Sequence, residues 1–310
     1  MELIRGLHNL RSRHHGCVAT IGNFDGVHLG HQSVLGQLAE KGAELGLPVT
    51  VITFEPQPQE YFNHGELPPR LTRLREKLTA LQRYSVDRVL CLSFKQGLAQ
   101  LSAEAFIRQV LVEGLGVRHL VVGDDFRFGQ GRSGDFTMLQ AAGAAHDFEV
   151  VHMHTFAIGG GRVSSTRIRE ALQCGDLGQA AQLLGRPYRM SGRVAHGNKR
   201  GRTIGFPTAN IFLHRARSPV DGVFAVEMFG IEGEPVQGVA NVGTRPTVDG
   251  SHAILEVHLF DFRRDIYGRH VHVDFLKFIR PERRFDSFEA LKAQILHDAE
   301  AARAFFGKQI

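Results

Sequence analysis

In Cys17-Val-Ala-Thr-Ile-Gly-Asn-Phe-Asp-Gly-Val-His-Leu-Gly-His31, an apolar β-branched run gives way to a glycine-rich turn and then to a helix. Cys17 to Ile21 reads as a buried strand, and His31 to Leu45 as a helix with Val34, Leu35, Leu38 and Leu45 near one face. Gly46 and Pro48 stop that helix before a second buried strand, Val49 to Phe54. The rhythm continues downstream. Leu71–Tyr84, Ala103–Leu115 and Phe136–Ala145 read as helices, and Arg88–Phe94 and His119–Gly123 as strands. Repeated strand–helix units imply a mainly parallel sheet covered by helices, with ligands held beyond the carboxyl ends of its strands.

After Gly175 the character changes. A short helix, Leu177–Leu184, ends at Gly185-Arg-Pro187, which sets a domain boundary between 1–185 and 186–310. Beyond it, Ser191–Ala195, Val223–Met228, Val236–Val242, Ile254–Phe260 and His270–Leu276 read as strands without intervening helices, hence an antiparallel barrel or sandwich. Ser287–Phe306 reads as a closing amphipathic helix with Phe288, Leu291, Ile295 and Leu296 inward.

Two domains suit 310 residues. A net charge of +5 predicts anionic ligands without choosing among nucleotides, phosphates and nucleic acid. Cys17, Cys91 and Cys174 are odd in number and far apart, so neither a disulfide framework nor a paired-thiolate zinc site is expected, and the predicted compartment is the cytoplasm. No apolar run reaches the roughly 20 residues that span a bilayer, so no membrane role is expected.

Glycines at 22, 26 and 30 let backbone N–H groups approach a phosphate, and the helix start adds a favourable dipole. His28 and His31, three apart, point to one side and can donate to phosphate oxygens, while Gly30 leaves room for a flat group such as adenine. A lone histidine at a helix start is ordinarily structural, and zinc would need ligands not found nearby. The loop is neither a Walker A nor a G-x-G-x-x-G fingerprint. His28-Leu-Gly-His31 resembles the H-x-G-H signature of the nucleotidylyltransferase superfamily. A second basic element, Arg162-Val-Ser-Ser-Thr-Arg-Ile-Arg169, offers Ser164, Ser165 and Thr166 as helix-capping donors and Arg169 as a permanent charge. Asp124 or Asp125, after a strand end, could bind a nucleotide hydroxyl or magnesium, or simply start a turn.

The second half carries His196-Gly-Asn-Lys-Arg-Gly-Arg-Thr-Ile-Gly-Phe-Pro-Thr-Ala-Asn210. Gly197, Gly201 and Gly205 make it pliable, and Lys199, Arg200 and Arg202 make it cationic, so it can fold over a polyphosphate. In an extended chain Thr208 and Asn210 share a face, and their two neutral oxygens suit magnesium. Transfer of a phosphoryl group to an alcohol also calls for a carboxylate. Glu256 lies on the polar side of Ile254–Phe260, but spacing alone does not separate it from Asp261, Asp265 or Asp274.

Both motif sets together resemble the bacterial bifunctional riboflavin kinase/FAD synthetase family. The resemblance extends to Phe54-Glu-Pro-Gln-Pro58, Arg70-Leu-Thr-Arg73, Asn241-Val-Gly-Thr-Arg-Pro-Thr247, Asp265-Ile-Tyr-Gly268 and Arg280 to Phe285. It implies a Rossmann-like nucleotidylyltransferase domain followed by a six-stranded antiparallel β-barrel riboflavin kinase domain with a C-terminal helix. It implies Glu256 as catalytic base and Thr208 and Asn210 as ligands of Mg²⁺, with Gly197, Lys199, Gly201, Arg202 and Gly205 around that ATP. It further implies that Gly22, Phe24, Asp25, Gly26, His28, Gly30, His31, Asp125, Arg162, Ser164, Ser165, Thr166 and Arg169 bind a second ATP. Of these, His28, His31 and Arg169 would be catalytic. Pro56, Pro58 and Arg70 would lie on the flavin side. Riboflavin, FMN and ATP would be the substrates and FAD the final product, with no nucleic-acid partner and room for a weak or transient homo-oligomer. Gln57, Asp125 and Asp221 depart from the commoner His, Asn and Pro at pocket edges. Two rivals fit less of the chain. A related adenylyltransferase with a passive β domain leaves Thr208, Asn210 and Glu256 unexplained, and an RNA- or flavin-sensing protein lacks an aromatic-basic stripe.

Overall fold

Every residue of Cys17–Ile21 is buried, because this strand is central in a six-stranded parallel sheet and covered on both faces. The computed structural model describes residues 1–63, 65, 67–123, 125–153, 156–196, 206–215, 217–231, 233–247 and 250–307, with main chain alone at 245–247 and 250–252. Gly197, Lys199, Gly201, Arg202 and Gly205 of the cationic loop, and Asp124, lie outside the described residues. The chain forms two units, 1–68 with 72–164 and 69–71 with 165–310.

In the first unit the elements are β1 (Glu2–Arg5), β2 (Cys17–Ile21), α1 (Leu29–Leu45), β3 (Val49–Glu55), α2 (Pro58–Phe62), α3 (Leu74–Leu81), β4 (Arg88–Ser93), α4 (Gln96–Ala99), α5 (Ala103–Phe106), β5 (Val117–Gly123), α6 (Phe136–His146), β6 (Glu149–Met153) and a small hairpin of β7 (Ala157–Ile158) and β8 (Gly161–Arg162). The sheet order is β1-β4-β3-β2-β5-β6. Alternation along β2 divides the core. Cys17, Ala19 and Ile21 pack with Phe106, Val110 and Leu111 on one face, and Val18 packs with Val34, Leu35 and Leu38 of α1 on the other. The chain runs outward from β2 through β3 and β4, then returns to place β5 on β2's other side. That reversal opens a crevice beyond the carboxyl ends of β2 and β5, where the glycine-rich turn begins.

Two helical expectations change in detail. α1 starts at Leu29 with His28 as its N-cap, and Leu45 is 43% exposed because it lies in the last turn before the left-handed Gly46. The helix expected over Ala103–Leu115 is α5 followed by a π-helical segment at Ile107–Val112.

The second unit holds α7 (Ser165–Gln173), α8 (Leu177–Leu184), β9 (Tyr188–Ala195), β10 (Ala209–Phe212), β11 (Gly222–Phe229), β12 (Val236–Thr247), β13 (Gly250–Leu259), β14 (His270–Arg280) and α9 (Phe288–Gly307). Its six β-strands close into an antiparallel barrel in the order β10-β13-β12-β11-β14-β9. Phe224, Val226, Ala240, Leu255 and Val257 fill the interior parity, while Val223, Ala225 and Val239 lie on the outer parity and pack with Ala299, Ala302 and Phe306 of α9. The inner face of α9 matches the expected one only in part, with Leu291 and Ile295 half-buried. Phe288 and Leu296 are 53% and 44% exposed, and Asp298 is buried in their stead because Arg280 on β14 clasps it with bonds of 2.7–3.0 Å.

Candidate functional site

At the carboxyl end of β2 the turn bends tightly, with Phe24 and Val27 at positive φ. Gly22 donates to the Ile52 carbonyl of the neighbouring strand at 3.0 Å. Phe24 is buried and its ring lies 4.8 Å from that of His31. Asp25 braces the loop: its carboxylate accepts from the Thr72 amide at 2.8 Å and the Thr72 hydroxyl at 3.1 Å, and that hydroxyl accepts from the Gly26 amide at 2.9 Å. Thr72 was not among the expected site residues, although the Arg70–Arg73 match contained it.

His28 and His31 are brought together, their rings stacked with centroids 3.7 Å apart. His28 Nδ1 accepts from the His31 amide as the cap of α1. Burial, reinforced by His28, Lys77 and Arg162, holds the His31 imidazole well below the ordinary histidine range, so it is a neutral hydrogen-bonding group. Its Nδ1 is buried with no hydrogen-bond partner among the described residues. Gly30 is closely packed: a Cβ there would sit 3.2 Å from the His28 ring, which would have to give by a few tenths of an ångström, and 3.6 Å from the Val163 carbonyl, an ordinary contact. Arg162 and Asp125 form an exposed two-pronged pair at 3.2 and 3.3 Å, which keeps the Asp125 carboxyl below its usual range. Exposed pairs of this kind are worth about 0–1 kcal/mol, so an incoming anion can take over the guanidinium cheaply.

Pro56 follows β3 through a cis peptide, and Pro58 is the first residue of α2. Between them Gln57 is buried, with Nε2 lacking a partner among the described residues. Ser164 immediately precedes α7, whose first residues are Ser165 and Thr166. Arg169, one turn on, donates to the Pro69 carbonyl at 2.7 Å, and Arg70 presents its own carbonyl to Arg215 at 2.7 Å. Ser165, Thr166, Arg169 and Arg70 thus all belong to the second unit.

On the barrel, strand register assembles the other group. Asn210 of β10 lies directly opposite Glu256 of β13, which lies opposite Asn241 of β12. Directly opposed residues present their side chains on one face, here the outer one. Of the four carboxylates that spacing left open, three have other partners. Asp261 is held by Arg303 at 2.9 and 3.2 Å, Asp274 is buried against Arg189, and Asp265 accepts from the Tyr267 amide at 2.9 Å. Glu256 has no cation partner among the described residues. Next to it on the same face, His258 bonds the Pro207 carbonyl at 2.9 Å and so anchors the approach to Thr208. Thr208 borders a cleft of about 430 Å³ whose walls include Leu259, Phe262, Ile266 and Tyr267. That volume is within the range of small-molecule sites. Phe262 and Tyr267 were not among the expected site residues, although the Asp265–Gly268 match contains Tyr267 and Phe262 lies three residues before it.

Comparison with known proteins matches a different family model to each half of the chain. The family model described as FAD synthetase matches residues 10–167, and the one described as riboflavin kinase matches residues 184–306. The chain is 54% identical over 308 residues to the bifunctional riboflavin kinase/FMN adenylyltransferase of Escherichia coli strain K12, covering 99% of this chain and 98% of that protein. It is 53% identical over 306 residues to the protein of the same name from Haemophilus influenzae, covering 99% of both. A solved structure titled as a macrolide-efflux protein from Streptococcus pneumoniae matches with a TM-score of 0.83 and 33% identity, covering 98% of this chain and 99% of that one. Among the described residues of the present chain, no helix is long and apolar enough to cross a membrane. With both domain models matched in order and close relatives matched end to end, the chain belongs to the bifunctional riboflavin kinase/FMN adenylyltransferase family.

Proposed function

We propose that residues 186–310 phosphorylate riboflavin with ATP and that residues 1–185 adenylylate the resulting FMN to FAD. The observation that carries the kinase assignment is the facing pair Asn210 and Glu256 beside the Thr208 cleft. Glu256 orients the 5′-hydroxyl of riboflavin and takes its proton as the oxygen bonds to the γ-phosphorus of ATP, while the bond to the β-phosphate breaks and ADP leaves. Thr208 and Asn210 would hold Mg²⁺. The donor chemistry fits: Asn210 Nδ2 faces the Thr208 carbonyl at 3.5 Å, which leaves the amide oxygen as a hard ligand. When bound, the ion neutralises phosphate charge. Lys199 and Arg202, with Gly197, Gly201 and Gly205, would close over the same ATP.

In the adenylyl transfer, a phosphate oxygen of FMN bonds to the α-phosphorus of ATP and pyrophosphate leaves. His28 and His31 hydrogen-bond the phosphates where charge accumulates, and Arg162, Ser164, Ser165, Thr166 and Arg169 complete their binding. Gly22, Phe24, Gly26 and Gly30 shape the nucleotide pocket, Asp25 braces it, and Asp125 sits at its edge. Pro56, Pro58 and Arg70 serve the flavin side. The compartment we assign is the cytoplasm. All three cysteines are free, and burial pushes the Cys17 thiol up to about 11.

Incubating the protein with riboflavin, ATP and Mg²⁺ and separating the flavins should yield FMN and then FAD. Glu256→Ala should block FMN formation yet still convert supplied FMN, and His28→Ala/His31→Ala should do the reverse. Wild-type FMN formation in Glu256→Ala, or full-rate FAD formation in the double variant, would sink the corresponding assignment.

A further inference from the structure

Beyond the carboxyl end of β5, two side chains from distant parts of the first unit meet. Asp125 follows that strand by two residues, and its carboxylate lies on Gly123, where a Cβ would stand 3.3 Å from Oδ1. Arg162 reaches it from β8, whose hairpin turns tightly through Gly159 and Gly160, both at positive φ. The next residue, Val163, brings its carbonyl to 3.6 Å from the place of a Gly30 Cβ, at the start of α1. The pair therefore stands at the crevice where β5 adjoins β2 and the His28–His31 turn begins.

Arg162 offers one donor to each carboxylate oxygen, at 3.2 and 3.3 Å. A guanidinium takes two oxygens of a phosphate with the same fork. Since Arg162 holds the Asp125 carboxyl below its usual range, the pair is ionic at neutral pH. Asp125 and a phosphate group thus call on the same donors, and two anions on one guanidinium repel each other. The side chains are 72% and 45% exposed, so the contest tunes binding without blocking it.

We propose that Asp125 competes with a phosphate of ATP for Arg162 and so weakens the hold of this crevice on ATP. The carboxylate stands in for a phosphate, works against nucleotide binding, and makes adenylyl transfer respond to ATP at higher concentrations. The proposal rests on ATP binding beside His28 and His31 for adenylyl transfer.

The test uses the full-length protein with supplied FMN and no riboflavin, reading the KM for ATP from FAD formation. Asp125→Asn, which keeps the shape and removes the charge, should lower that KM about threefold to fivefold, the most that an exposed ion pair is worth. The effect should fall on KM rather than kcat, because the competition acts on ground-state binding. Arg162→Ala should raise KM, and adding Asp125→Asn to it should change KM less than about twofold, since the competitor then has nothing to withhold. A KM unchanged or raised in Asp125→Asn, with FAD formation lost in His28→Ala/His31→Ala, would overturn this proposal alone. So would a full lowering of KM by Asp125→Asn in the Arg162→Ala background, which would assign the effect to direct repulsion of ATP. Full-rate FAD formation in the double-histidine variant would overturn the siting of ATP and this proposal together.

Discussion

His31 shows how a single side chain is prepared before any substrate arrives. Its imidazole stacks on His28 and is kept neutral, chiefly by burial. That protonation preference is also a stability term. Below its ordinary value of 6.5 the unfolded chain takes up a proton that the folded chain refuses, so stability present above that pH is lost as pH falls. Thermal melts from pH 7.5 down to pH 5.5 should therefore show a smaller drop in Tm for His31→Asn than for the wild type. Parallel curves would mean that the imidazole is protonated in the folded state. Under the proposed assignment, that neutrality would leave His31 to hydrogen-bond the phosphates and the arginines to supply net positive charge.

At the scale of elements, β14 is tied to α9 through one buried carboxylate. Arg280, opposite Val223 on the neighbouring strand, grips Asp298, whose side chain is 5% exposed. Gln294 adds a 2.8 Å bond to the same carboxylate. Asp298→Ala leaves a largely buried guanidinium unpaired and should destabilise the protein by about 3 kcal/mol in denaturant unfolding. Asp298→Asn should cost less, and an unchanged midpoint for Asp298→Ala would show that the clasp is replaceable. This buried charge is also why α9 was only partly legible in the sequence. An apolar stripe through Phe288, Leu291, Ile295 and Leu296 looks inward, but Phe288 and Leu296 are exposed, Leu291 and Ile295 are half-buried, and the buried positions are Asp298, Ala299, Ala302 and Phe306. β13 was plainly legible, since Leu255 and Val257 alternate with Glu256 and His258 as a half-buried strand must. β1 and β6 were missed. They are short edge strands whose polar ends, such as Arg5 and Glu149, blunt the pattern. The candidate base could not be singled out from spacing because what removes Asp261 and Asp274 is contact with Arg303 and Arg189, residues 42 and 85 positions away.

At the scale of the whole molecule, the second unit takes in residues on the N-terminal side of the boundary expected at Gly185. α8 packs on β9 and β14, with Leu183 and Leu184 buried, and α7 packs on α8. The fragment 165–310 should therefore melt at a higher temperature than 186–310, and equal melting points would show that α7 and α8 add nothing to the barrel. The same unit also claims Pro69–Leu71: Tyr188 donates to the Leu71 carbonyl at 3.1 Å, and the buried Arg215 reaches the carbonyls of Arg70 and Leu71. These three residues are synthesised 100, 117 and 144–145 positions before the side chains that bind them. A chain emerging from the ribosome can complete its parallel sheet first, as leading domains generally do. Its three-residue tether must then wait for the barrel, so the last carbonyls satisfied during biosynthesis include some of the first ones made.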